Sequence, residues 1–167
     1  DFVSKAEREA SLLGHSGKRI GGNDFDIQLA LKGIMPNLGL GSELESGKLM
    51  PVSSYFQAVA INDVNAQSDF YSPENGRFLQ ELKRDAKQPE LVDRLVKAYR
   101  EKLSYQLVNS AEQGKIQLTD HEQLAVDLGY LDSGLQQTLS RDLMAEANQH
   151  QLNSIVELMH EAVEQAG

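Results

Sequence analysis

Two short segments hold the residues whose types and spacing could do chemistry. The first is Ile20-Gly21-Gly22-Asn23-Asp24-Phe25-Asp26, a glycine pair entering a helix N-terminus. Such a junction lets a ligand or another chain segment approach the backbone, and it offers N–H groups that have no intrahelical partner. Taken alone, it reads as a tight strand-to-helix turn into a capped helix. The second is Ser110-Ala111-Glu112-Gln113-Gly114-Lys115-Ile116-Gln117-Leu118-Thr119. Glu112, Lys115, Ile116 and Thr119 stand at i, i+3, i+4 and i+7, so they share one helical face. An acceptor, a cation, a flat apolar contact and a hydroxyl on one face suit the edge of a purine nucleoside. An ordinary Glu–Lys surface pair, contributing about 0.2–0.5 kcal/mol, accounts for Glu112 and Lys115 without any ligand.

Other chemistries find no footing in the 167 residues. His15, His121, His150 and His160 are dispersed, none in an HExxH-type spacing, so no metal site is expected. No Gly-x-Ser-x-Gly elbow occurs, and Gly14-His15-Ser16-Gly17-Lys18-Arg19 has the wrong spacing for a phosphate-binding P-loop. Without cysteine there is no disulfide framework, no thiolate ligand and no thiol nucleophile, which suits a reducing compartment. The formal charge of −9 argues against a nucleic-acid partner, because phosphate-backbone binders concentrate Lys and Arg. No apolar run approaches the about 20 residues of a spanning helix, and Asp1 to Gly14 lacks the basic-then-apolar pattern of a secretory leader. A cytoplasmic protein with no membrane partner is the expectation.

The elements that must position these residues follow from periodicity. A strand is expected over Glu7 to Leu13, then the glycine loop, then a helix capped by Asn23 with Ile27, Ala30, Leu31 and Ile34 as its stripe, ended at Met35 or just before it by Pro36. Asn37 to Gly47 reads as loop, and Tyr55 to Ile61 as a short buried helix or strand. Ser72-Pro73-Glu74 starts a helix burying Phe78, Leu79, Leu82 and Ala86. Residues 36–88 read together as an insertion with some helix. Leu91, Leu95, Tyr99, Leu103, Leu107 and Ala111 recur every four residues and predict one winding helix from Pro89 to Leu118, about 45 Å long. Beyond Thr119 the period becomes two, predicting a hairpin of Leu124–Leu128 with Leu135–Leu139 about an Asp132-Ser133-Gly134 turn. Ser140 caps a further helix, which breaks or bends in the polar stretch Asn148 to Asn153. A last helix is expected to bury Ile155, Val156, Met159 and Val163. The fold class is α+β: helix-rich, with a small antiparallel sheet.

Taken in order along the chain, the two segments resemble the seventy-kilodalton heat-shock (DnaK-type) chaperone family. Ile20 to Asp26 is similar to that family's Leu-Gly-Gly-Glu-Asp-Phe-Asp junction, and Ser110 to Thr119 resembles its adenosine-contacting helix. Glu9 to Asp26, Ala58 to Tyr71 and Leu103 to Ile116 are most similar to its divergent, YegD-like bacterial branch. The likeness thins after Thr119. The resemblance implies an outer second-lobe piece of an actin-like ATPase, the subdomain IIB region. It further implies that Glu112 and Lys115 hydrogen-bond the ribose and purine, that Thr119 faces the base, and that Gly22 brings backbone near the nucleotide. Ile116 stands where typical members carry a base-stacking arginine, Asn23 where they carry glutamate, and residues 36–88 exceed the usual connection, as a branch-specific insertion.

The resemblance implies ATP or ADP with Mg²⁺ as the ligand of the whole ATPase, and client proteins or co-chaperones as partners. The Asp-x-Gly-Thr and Gly-Gly-Gly-Thr turns that cradle phosphate in such enzymes do not occur in this sequence. Residues 1–167 are therefore expected to be a single fragment of a longer ATPase, binding no nucleotide firmly and hydrolysing none by themselves. The competing expectation is a non-enzymatic, acidic, helical protein-interaction module. The length of the native reading frame separates the two.

Overall fold

The computed structural model describes residues 20–166, so the strand expected at Glu7 to Leu13 lies outside the described residues. Helix α1 spans Gly22–Leu29. Its N-cap is Gly21 and not Asn23, because the Asp24 carboxylate reaches back and accepts the Gly21 N–H at 2.7 Å. Asn23 therefore sits inside the first turn. The helix widens to a π-helical turn over Ala30–Ile34 and tightens to a 3₁₀ turn over Met35–Leu38. Pro36 does not end it at Met35. It occupies the first turn of the 3₁₀ segment, where a missing N–H has no bond to break. Termination falls instead on Gly39, whose φ of 104° is open to glycine. Ile27, Leu29, Ala30, Ile34, Met35 and Leu38 make this continuous element the spine of the core.

Residues 36–88 are built into that core. They form α2 (Val52–Val59), α3 (Val64–Phe70) and α4 (Pro73–Asp85), and they contribute the fully buried Tyr55, Phe70 and Leu79. Tyr55 to Val59 is thus helical. As expected, Ser72 starts α4: its hydroxyl accepts the Asn75 N–H at 3.1 Å. Leu79 and Leu82 are buried on α4, whereas Phe78 is 38% exposed, one step of about 100° from Leu79; Ala86 is buried past the helix end, in extended backbone bridged to Leu44.

The single helix expected from Pro89 to Leu118 is two, α5 (Pro89–Arg100) and α6 (Ser104–Gln117). Lys102 adopts φ 57°, and the Leu103 N–H bonds the Ala98 carbonyl at 2.9 Å. That is the six-to-one bond of a left-handed helix termination. The drift of a four-residue spacing is resolved by a break: α5 packs on α4 and the 3₁₀ turn, while α6 packs on α1. The Tyr71 hydroxyl then receives the Ser104 N–H at 3.2 Å and starts α6. Because a side chain in the left-handed region is strained, Lys102→Gly should raise the unfolding free energy by about 0.5–1 kcal/mol in chemical denaturation. A loss of stability would show that the break is held by something other than backbone geometry.

The hairpin pairs β1 (Gln123–Asp127) with β2 (Gln136–Ser140), antiparallel, with Leu124 opposite Leu139. Ser140 caps α7 (Arg141–Ala147) by accepting the Leu143 N–H at 3.1 Å, and the chain bends at Asn148 into α8 (Gln149–Ala166). The fold is α+β, helix-rich, with one two-stranded antiparallel sheet among the described residues. One expectation fails in α8. Val156, Met159 and Val163 are 51%, 64% and 69% exposed, because among the described elements α8 packs chiefly on α7 at its start. Ile155 alone of the expected four is partly covered. None of the described helices is long and apolar enough to cross a membrane.

Candidate functional site

The two segments singled out by residue type lie far apart in sequence and side by side in the fold. Helix α6 runs along α1, and the contact is pinned by an ion pair between the Lys115 ammonium and Asp26 Oδ1 at 2.6 Å. The Asp26 side chain is 3% exposed and that of Lys115 29%. The ammonium meets Oδ1 outside hydrogen-bonding alignment, so the pairing is one of charge at short range. Removing one partner of such a pair leaves the other's charge without its short-range counter-charge.

That pair gives Lys115 a partner within this chain. The expected Glu112–Lys115 surface pair is not formed; Lys115 turns inward to α1. Glu112 is half-buried and has no ion-pair partner among the described residues. It faces a groove of about 370 Å³ between α1 and α6, bordered by Asn23 and Asp26 on one side and Tyr105, Asn109 and Glu112 on the other. Ile61, from the turn after α2, also lines it.

The remaining expected residues fall elsewhere. Ile116 is 52% exposed and outside the groove lining. Thr119 does not share the helical face of Glu112, because α6 ends at Gln117 and Thr119 lies in the turn that follows. Arg141 holds that turn. Its Nε donates to the Leu118 carbonyl and its Nη2 to the Thr119 carbonyl, both at 2.7 Å. A cation on the last carbonyls of a helix also opposes the negative end of its dipole. Gly22 is exposed, and a Cβ there would meet nothing within 4 Å, so nothing in the chain's own packing demands glycine at that position.

A second pair of contacts fixes α6 against the hairpin. Burial pushes the Tyr130 hydroxyl above the usual tyrosine range, partly offset by its hydrogen bond to Ser110 at 3.1 Å. Gly114, four residues on from Ser110, brings the α6 backbone against Leu139 of β2.

No family model matches the chain, and no solved structure matches it. What the site can do must therefore come from its own groups. Among the described residues no three His, Asp or Glu side chains are grouped to hold a metal ion. The groove instead offers the carboxylate of Glu112, two asparagine side chains and one exposed aromatic ring, beside the Asp26 carboxylate that pairs with Lys115. These are groups for holding a neutral, hydrogen-bonding, planar molecule.

Sequence reading missed most of that lining. Tyr105 and Asn109 stand seven and three residues before Glu112 and were open to the same spacing rule that selected Lys115 and Ile116. Asp26 was the last residue of the first segment and Ile61 the end of an apolar stretch, but nothing in the sequence joined either to Glu112, since both enter through tertiary contact.

Proposed function

We propose that this chain is one wall of an adenosine pocket in a DnaK-like, actin-like ATPase, with α1 and α6 as the two elements of that wall. On this reading residues 1–167 correspond to the subdomain IIB region, residues 36–88 are a branch-specific elaboration of it, and ATP hydrolysis coupled to lobe rotation belongs to the complete protein. Client proteins or co-chaperones are then its partners. The observation that supports the reading is the adjacency of the Gly21-Gly22 junction and the Glu112–Lys115 helix, held by the 2.6 Å Asp26–Lys115 pair. Resemblance in sequence order alone does not require the two segments to touch.

A single wall without phosphate-cradling turns binds weakly. Titrating adenosine into the ¹⁵N-labelled chain should give saturable amide shifts along Asn23 and the Tyr105–Thr119 stretch, with a dissociation constant in the millimolar range, about −4 kcal/mol. ADP should bind no more tightly than adenosine. A flat response from Asn23 to Thr119 would remove the adenosine reading. Micromolar ADP binding would instead show a phosphate site that the one-wall reading denies.

One observation favours the interaction-module reading. Leu152, Val156, Met159 and Val163 form an apolar line along α8, 44% to 69% exposed. Such a line is a surface a partner helix could cover. If adenosine leaves the α1–α6 groove unperturbed, this is the reading that stands.

A further inference from the structure

We draw no further inference here: the strongest candidate, the exposed apolar line of Leu152, Val156, Met159 and Val163 along α8, carries none, because nothing in the structure shows what covers it.

Discussion

Leu139→Ala should lower the unfolding free energy by about 2–5 kcal/mol in chemical denaturation, the largest effect expected of any side chain near the site. Leu139 is fully buried on β2 and is gripped between two helices. A Cβ on Gly33, in the π-helical turn, would stand 2.6 Å from Leu139 Cδ2, and a Cβ on Gly114 of α6 would stand 2.6 Å from Leu139 Cδ1. Both methyls of this leucine therefore occupy space that only glycine leaves free. The same geometry reverses an ordinary propensity argument. Gly114→Ala in an isolated helix would be worth about 1 kcal/mol of added stability. In this fold the new methyl drives Leu139 toward Gly33 and also meets Val126 Cγ2 at 3.3 Å, and overpacking of that kind costs about 1–3 kcal/mol. Gly114→Ala is thus expected to be neutral to destabilising. An increase of stability approaching 1 kcal/mol would show that Leu139 repacks freely and that the grip does not exist.

The second large effect is at the ion pair. Lys115→Ala should cost about 3 kcal/mol, because it strands the Asp26 carboxylate at 3% exposure without a counter-charge. The value sits at the lower end for buried pairs since Lys115 keeps 29% of its side chain in solvent. Adding Asp26→Asn to Lys115→Met should recover at least half of the loss, and a double-mutant cycle should return a coupling of about 1 kcal/mol or more. Additive single effects would mean that the two charges act independently and that α1 and α6 are held by apolar packing alone. The consequence for function is direct. Loss of nucleoside binding in Lys115→Ala mixes contact with destabilisation, whereas Glu112→Gln removes a charge that has no ion-pair partner among the described residues and leaves the helix pairing intact.

What could be read along the chain, and what could not, divides by the range of the interaction. The hairpin, the Ser72 and Ser140 caps and the start of α5 at Pro89 are set within a few residues, by period, turn chemistry and a missing N–H, and they stand where those rules put them. One failure falls inside that window, and the others come from longer contacts. Asp24 displaced Asn23 as the cap-forming side chain by reaching back to Gly21. The stripe running through Leu103 hid a helix break, because Lys102 can enter the left-handed region only when α5 and α6 gain different neighbours by doing so. Val156, Met159 and Val163 have the spacing of a buried face, but spacing states only that residues share a side, not that anything lies against it.

The site divides in the same way. From sequence alone came the helix-rich α+β class, the glycine junction, and the choice of Glu112 and Lys115 as groups worth placing. The tertiary structure decided that Lys115 belongs to Asp26, that Thr119 lies beyond the helix end under Arg141, and that the open carboxylate of Glu112 shares a groove with Tyr105. The physical reason is that a helical periodicity fixes a direction around one axis. A charge partner or a groove needs a second axis beside it, and in this chain Gly33 and Gly114, closing on Leu139, set how near the helices and the hairpin can come.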